Sequence, residues 1–580
     1  MKFADECVQP FELKVCRRRT GTSVAAFALL LLAPGWASAA PPHSVYVNGN
    51  IHTGDCARPR AEALAVTGDR IVAVGSSVEL SRLAGPGTTT IDLGGQTVLP
   101  GLIDAHCHMA GLGSFGLGRS DLSDARSYEA LVAMVAEQVK KAKPGEWIRG
   151  GRWDHESWPD RRLPAHAGLS AVSPDNPVWL TRVDGHAGLA NAAALKLAGV
   201  TRDTPAPPGG EILKDERGEL TGVFVDNAMD LITKHIAGSG NDRAALILKA
   251  QEMCLAVGLT GVHDAGVTPA EVETYQKLAE GGQLKLRVYA MLAGRQAVEY
   301  FGAHGLLIGE RLTVRAAKAY ADGALGSRGA WLLAPYSDRP TDDSGKPYVG
   351  LAVEPELIRT LAEDGLRRGY QVCTHAIGDR GNRETLAAYG AALRQTPCKD
   401  HRFRIEHAQV LALEDIPRFA ELGVLPCMQP THCTSDMRWV EARIGPQRAA
   451  GAYAWAKLRR TGLPIPGGSD FPVESHNPFL GLYAAMTRED TAGQPPGGWH
   501  PEERMTREEA LRSFTRDAAY AAFEEEHKGS LQVGKLADFI VIDRDIMTCE
   551  AAEIPGTRVL LTVIGGEKVY EATGNGHGSR

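Results

Sequence analysis

The 580-residue sequence lacks several features that would point to a function class at once. It has no surplus of basic residues, since 63 Lys and Arg stand against 70 Asp and Glu for a net charge of -7. Apart from Arg17 to Arg19 there is no Lys- or Arg-rich cluster, which argues against nucleic acid or an anionic membrane surface as a partner. The ten cysteines are scattered and form no Cys-x-x-Cys pair, so no disulfide framework is indicated.

The N-terminal segment also lacks the ~20 apolar residues that a bilayer-spanning helix needs. Its apolar run, Val24 to Leu32, follows Arg17 to Arg19 and precedes Ala37-Ser38-Ala39. This order of charge, apolar run and small residues is typical of a cleaved export signal. We therefore expect residues 1–40 to be a signal peptide and the mature protein to be periplasmic or secreted, with no membrane attachment. An uncleaved anchor or a misassigned start codon is the alternative, and the export route stays open.

Two β-rich regions flank a longer central region. Residues 44–97 and 529–572 contain short apolar runs separated by turn signals such as Asn48-Gly49 and Gly68-Asp69. They predict one small β-sandwich built from both termini, although two unrelated β caps would give the same pattern. The central region, residues 98–528, alternates strand-like and helix-like segments, which is typical of a parallel sheet with crossover helices.

The central region contains enough strand candidates for a closed barrel. The candidates span residues 97–108, 258–266, 284–292, 312–323, 370–379, 403–410, 423–432 and 462–470. Eight such units predict a (β/α)8 barrel, an α/β fold. The interval 109–257 is too long for one crossover, so we expect it to contain an inserted, lid-like subdomain over the barrel mouth.

Polar residues stand at the predicted C-terminal ends of these strands, where barrel enzymes carry their active sites. His106 and His108 are two residues apart, so a strand points both side chains to the same side, and two imidazoles can bind one divalent metal. His375, His407 and Asp470 end later strands. Lys318 lies on the fourth strand. It is either an ion-pair partner of Asp322 or Glu406, or a lysine whose desolvated amine reacts with CO2 to give a carboxylate ligand.

Several segments resemble a known family. "LPGLIDAHCHM" is similar to the opening metal motif of the amidohydrolase superfamily, and "GSLQVGKLADFIVID" to its closing strand. The segments "YADGALGSRGAWLLAPY", "THAIGDRGNRETLAAY", "RIEHAQV" and "PGGSDFPVESHNP" resemble one branch, amidohydrolase family 3, which includes N-substituted formamide deformylases. The resemblance runs in order over residues 45 to 570. It implies a distorted (β/α)8 barrel, a β-sandwich formed by both termini, and one or two divalent metal ions, usually zinc.

The resemblance also implies residue roles. His106 and His108 match the first metal pair, Lys318 the bridging lysine, His375 and His407 the second-metal histidines, and Asp470 the catalytic, metal-binding aspartate. For substrate contact we predict four residues. Arg182, Asp184 and His186 belong to "TRVDGH", which resembles the family's pocket segment, and His432 ends the seventh strand.

The implied activity is hydrolysis of a non-peptide carbon–nitrogen bond in a small molecule by metal-activated water, with Asp470 moving the proton. A deaminase or lyase on the same metal site is the first alternative. A non-catalytic binding protein on this fold is the second. The sequence identifies neither the substrate nor the number of metals, and a homodimer stays open.

Overall fold

The computed structural model describes residues 41–236, 243–342 and 344–572. The predicted signal peptide, residues 1–40, lies outside the described residues. Within the described part of the chain, no helix combines the length and apolar character that crossing a bilayer would require.

The centre of the molecule is a barrel of parallel strands. Neighbouring strands pair in the order first to seventh, with the fourth strand also pairing antiparallel with a short strand, Leu307–Ile308. The seven parallel strands are Leu102–Cys107, Leu259–Val267, Arg287–Ala293, Leu312–Tyr320, Gln371–Ala376, Arg404–His407 and Leu425–Cys427. The prediction of an α/β barrel is confirmed.

An extended segment closes the barrel at the eighth position. The amide of Ala105 donates to the carbonyl of Gly467 at 2.9 Å, and the amide of Gly468 donates to the carbonyl of Met428 at 3.1 Å. The segment therefore bridges the first and seventh strands, although only isolated pairing replaces a regular strand there. The reason is local, because Pro464 and Pro466 have no backbone N–H to donate to a strand ladder.

Helices surround this sheet. Their starts carry recognisable caps: Thr268 and Glu271 form a reciprocal capping box with Pro269 in the first turn. The helices that cover the barrel are Met109–Gly116, Arg243–Ala256, Pro269–Glu280, Gly294–His304, Pro355–Arg368, Asp379–Gln395, Ile416–Leu422, Pro430–Asp436, Val440–Ala449, Trp455–Arg459, Pro478–Thr487, Arg507–Ser513 and Arg516–Ala521. Short 3-10 turns occur at Leu413–Asp415, Pro501–Glu503 and Ala551–Gly556.

The chain between the first and second barrel strands builds a second sheet. Its strands are Ser120–Asp121, Ile148–Trp153, Val178–Arg182, Ala187–Ala190, Gly210–Lys214 and Leu220–Asp226. Helices Tyr128–Val139, His166–Val172, Ala192–Ala198 and Asp230–Thr233 and 3-10 turns His155–Ser157 and Asn227–Met229 accompany it. Trp153 and Trp179 belong to two separate buried clusters of this insertion, so it has a core of its own.

Strands from both ends of the described chain pair in a third region. One sheet contains Ser44–Val47, Ala63–Thr67, Arg70–Gly75 and Thr89–Asp92, followed by helix Ser77–Ser81 after its third strand. The other contains Asn50–His52, Arg60–Ala61, Thr97–Pro100, Phe539–Ile542, Val559–Ile564 and Glu567–Glu571. Tyr46 of the first sheet packs edge-on against Phe539 of the second at 4.9 Å between ring centroids, inside one apolar cluster.

Candidate metal centre

The predicted site residues meet at the C-terminal ends of the barrel strands. A cavity of about 470 Å³ lies between the barrel and the insertion. It is lined by the six predicted metal-site residues and by three of the predicted substrate residues, namely His106, His108, Lys318, His375, His407, Asp470, Arg182, Asp184 and His186. His432 lines an adjoining cavity of about 210 Å³, which shares His375, His407 and Asp470 with the first.

Asp470 lies between two pairs of histidines. On one side its Oδ1 is 3.1 Å from Nε2 of His108 and 3.5 Å from Nε2 of His106. On the other side His407 and His432 complete a second group, with His432 Nε2 3.6 Å from Asp470 Oδ2. In each group, the potential ligand atoms lie within 4.8 Å of one another. Asp470 is therefore the carboxylate that both groups share.

Backbone strain fixes these side chains. Asp470 has a φ of 60° and His407 a φ of 74°, a left-handed conformation that non-glycine residues adopt at a cost. Asp104 holds the segment before Asp470 in place, because its carboxylate accepts hydrogen bonds from Ser469 Oγ at 2.6 Å and from the amide of His106 at 3.1 Å. Burial raises the pKa of Asp104 to about 7. The ends of the first strand and the eighth segment are thus tied together beneath the site.

His375 does not join either group. Its Nε2 lies 3.4 Å from the carbonyl oxygen of Gly323 and 3.5 Å from Asp322 Oδ1. Its ring packs against the rings of His407 and His186, at 4.5 Å and 4.8 Å between centroids. The structure thus brings His432, which we expected to contact substrate, closer to Asp470 than the sequence suggested, and gives His375 other neighbours.

Glu406 is a site residue that the sequence analysis treated only as an alternative partner for Lys318. Its Oε2 lies 2.5 Å from Nδ1 of His106, and Arg404 approaches its Oε1 at 2.7 Å. All three side chains are buried. Burial opposes ionisation of Glu406, but Arg404 and His106 hold its pKa well below the usual range. A carboxylate behind a ligating histidine fixes the ring and directs the other nitrogen, here Nε2, at the metal. Arg404 and Glu406 are two residues apart on one strand and therefore share a face, and this spacing was the sequence signal that could have identified Glu406.

The electrostatics favour metal ligands in their metal-binding protonation states. Burial and the neighbouring Lys318 lower the pKa of His106 to about 4, and burial also lowers the pKa of His407. Burial alone would raise the pKa of Asp470, but His108 and His106 hold it well below its usual range. His106 and His407 are therefore neutral imidazoles and Asp470 is an ionised carboxylate, which are the forms that bind divalent metals.

Lys318 has neither of the ion-pair partners considered from the sequence. Its Nζ is buried and lies 3.0 Å from Nε2 of His106, and it forms no ion pair with Asp322 or Glu406 in the described chain. Burial lowers the pKa of Lys318. The amine is thus desolvated and faces the first histidine pair.

The insertion residues pair with one another at the cavity wall. Arg182 donates to Asp184 Oδ2 at 2.5 Å and to Asp154 Oδ1 at 2.8 Å. His186 Nδ1 lies 2.6 Å from Asp226 Oδ1. Burial would lower the pKa of His186, but Asp226 raises it to about 9. These side chains face the cavity with their charges already compensated.

Known proteins are similar in sequence over most of this chain. The sequence profile of the amidohydrolase family matches residues 89–570. The chain is 34% identical over 542 residues to the protein LONG AFTER FAR-RED 3 of Arabidopsis thaliana, covering 90% of this chain and 91% of that protein. It is 30% identical over 551 residues to the N-substituted formamide deformylase of Arthrobacter pascens, covering 91% and 98%.

One solved structure with the same fold is that of a metal-dependent hydrolase. An uncharacterized metal-dependent hydrolase from Pyrococcus horikoshii superposes with a TM-score of 0.71 at 26% identity, over 88% of this chain and 99% of that one. The putative amidohydrolase YtcJ of Bacillus subtilis is 32% identical over 91% of this chain and 99% of its own length. The resemblance noted in the sequence is confirmed.

Proposed function

Because this chain belongs to the amidohydrolase family, we propose that it hydrolyses a non-peptide, amide-type carbon–nitrogen bond with the help of bound divalent metal. One observation carries the proposal: Asp470 stands between two histidine pairs, buried and ionised, at the floor of an open cavity. The deformylase relative, whose name specifies an N-substituted formamide, supports an N-acyl or N-formyl amine as the substrate class.

The donor set fits a metal ion of the zinc type. His432 Nε2 is buried, has no hydrogen-bond partner in the part of the chain that the structure describes, and faces the Asp470 carboxylate. Nitrogen and carboxylate ligands of this kind are those that zinc prefers. We assign His106, His108 and Asp470 to one ion, and His407, His432 and Asp470 to a second where two are bound. Such an ion would supply Lewis acidity, which lowers the pKa of water from 15.7 towards about 7 and polarises a carbonyl group.

Asp470 is the residue that moves the proton. Its carboxylate is ionised and lies within 3.6 Å of histidines on both sides, so it can accept the proton of an attacking water from a fixed position. It then returns that proton to the leaving nitrogen, which must depart as a neutral amine. Glu406 keeps the His106 ring oriented during both steps, and the insertion above limits access of bulk water.

We also propose that Lys318 is carbamylated. A neutral lysine amine attacks the carbon of CO2, loses one proton and becomes a carbamate, which is an anionic ligand. The buried Nζ without a carboxylate partner, 3.0 Å from His106, supports this assignment. Carbon-13 NMR of protein equilibrated with labelled bicarbonate should show a bound carbamate that Lys318→Met lacks. The same spectrum for both proteins would contradict it.

Metal analysis and a substrate screen test the proposed function. Protein expressed with added zinc should retain at least one equivalent of metal, and N-formyl and N-acyl amines should yield equimolar amine and carboxylate. Fewer than about 0.5 equivalents, together with no hydrolysis, would overturn the proposal, because catalytic zinc is normally retained. Release of ammonia from aminated heterocycles, without amide cleavage, would indicate a deaminase.

A further inference from the structure

Within the described residues, one guanidinium that lines the cavity has no acidic partner. Three arginines line this cavity: Arg119, Arg152 and Arg182. Arg152 pairs with Asp121 at 2.8 Å, and Arg182 pairs with two aspartates. Arg119 forms no ion pair with any carboxylate in the described ranges, and its Nε is buried without an acceptor.

The protein holds this guanidinium in place with neutral groups. Its Nη2 donates to the carbonyl of Gly150 at 3.0 Å and to Thr181 Oγ1 at 3.1 Å. Its central carbon lies 5.0 Å from the centroid of the Phe115 ring, a cation–π contact. Burial and the nearby Arg149 lower the pKa of Arg119 to about 10, so it stays charged at neutral pH. These neutral contacts fix the orientation of the Arg119 guanidinium, but none of them compensates its positive charge.

The other carboxylates of the cavity do not supply the missing charge. Asp184 is paired with Arg182, Asp226 with His186, and Asp322 accepts backbone amides, while Asp230 and Glu354 form no ion pair with Arg119. Partly burying a cation without a counter-ion is costly unless a ligand completes the pair. Because Nη2 already donates to Gly150 and Thr181, Nη1 is the nitrogen left to donate to a carboxylate oxygen in a charge-assisted hydrogen bond.

We propose that Arg119 binds a carboxylate group of the substrate and so selects N-acyl or N-formyl compounds that carry one. This inference rests on the proposed hydrolase function and narrows its substrate class. The carboxylate can belong to the amine portion, as in an N-acyl amino acid, or to the acyl portion, as in an N-succinyl amine. Phe115, beside the guanidinium, provides an apolar surface for the adjoining part of the substrate.

Matched substrate pairs test the proposal, and they distinguish a carboxylate on the amine portion of the substrate from one on the acyl portion. The amine arm compares N-formyl-phenylalanine with N-formyl-phenylalaninamide. The acyl arm compares N-succinylbenzylamine with its methyl ester. With the zinc-loaded wild type, kcat/KM should favour the carboxylate member of one arm by about 10- to 100-fold, the range for a hydrogen bond to a charged group.

Arg119→Met should abolish that preference by lowering kcat/KM for the carboxylate member, whereas Arg119→Lys should retain part of the preference, because the positive charge persists. Arg149→Met is the matched control. It removes a neighbouring positive charge that does not line the cavity, and it should keep the preference. No preference in either arm, an unchanged preference in Arg119→Met, or an equal fall for both members would overturn the proposal.

A binding experiment tests the role of Arg119 if the proposed hydrolase function is wrong. If the wild type hydrolyses none of the four compounds, calorimetry on the same zinc-loaded proteins decides the inference about Arg119. Binding of 3-phenylpropionate that weakens about 10-fold in Arg119→Met supports a carboxylate site. Equal binding to both proteins overturns it, since carboxylate affinity would then come from the metal alone.

Discussion

The barrel side and the insertion side of the cavity are organised on different principles. On the barrel side, Asp470 lies between His106 and His108 on one side and His407 and His432 on the other, and within the described residues Asp470 Oδ1 and His432 Nε2 have no hydrogen-bond partner. On the insertion side, Arg182 and His186 are each neutralised by aspartates. The barrel side is therefore built to receive a cation, whereas the insertion side is built to be rigid. Arg119 is the exception on its side, which is why its missing partner is informative.

Replacing the shared carboxylate should have the largest effect. Asp470→Asn keeps the shape of the side chain but removes the charge and the ability to accept a proton. We expect kcat/KM to fall by at least about 10²- to 10⁴-fold for any amide substrate. Metal content, measured in parallel, separates proton transfer from metal binding. A metal-replete Asp470→Asn protein with wild-type turnover would contradict the role of Asp470 on the barrel side.

The orienting carboxylate should have the next largest effect. Glu406→Gln leaves Arg404 without its charged partner and loosens the His106 ring, so metal affinity should fall by about 10- to 100-fold. Competition with a chelator measures this. Asp538→Asn is the matched control, because it breaks another buried pair, Arg287 to Asp538 at 2.7 Å, that does not line the cavity. Both variants should unfold at lower temperature, but unchanged metal affinity in Glu406→Gln would refute its orienting role.

These differences show what sequence patterns can and cannot predict here. The convergence of His106 and Lys318 follows from period-two strands whose ends meet at one face of a barrel, whereas Asp470 ends an irregular segment and has a φ of 60°, so its role was predicted from the family resemblance. The pairing of His407 with His432 depends on the positive φ of His407, which no sequence pattern encodes. The apolar residues of 462–470 predicted an eighth strand, but Pro464 and Pro466 lack the backbone N–H groups that a regular strand donates.

Arg119 was missed for a different reason. It precedes a two-residue strand, Ser120–Asp121, inside the insertion, where no motif or periodicity marks it. Its significance lies in the absence of a partner, and absence of an ion pair is visible only when the fold has placed every neighbouring carboxylate. Arg182 shows the converse. The segment around Arg182 resembles a pocket motif, yet its guanidinium is already paired with Asp154 and Asp184.

On the insertion side, breaking the buried pairing should affect stability more than metal binding. Arg182→Met leaves Asp154 and Asp184 without their buried cation, so we expect the free energy of unfolding to fall by about 3 to 5 kcal/mol. Urea unfolding of the metal-loaded protein measures this, with metal content as the second readout. Loss of metal at wild-type stability would show that the two sides of the cavity are not organised as separately as the contacts indicate.

The smallest effect should come from the exposed arginine that shares the same carboxylate. Arg438 donates to Asp154 Oδ2 at 2.8 Å, but its side chain is 45% exposed, whereas that of Arg182 is 2% exposed. Arg438→Met should therefore change the free energy of unfolding by about 0.5 kcal/mol or less, because solvent screens an exposed pair and ordering its side chains costs entropy. Both variants remove a contact to Asp154, and Arg182→Met also removes the one to Asp184, so the same urea titration compares a buried double pairing with an exposed single one. Equal destabilisation by both would mean that Asp154 itself, rather than the desolvated Arg182, determines the rigidity of the insertion wall.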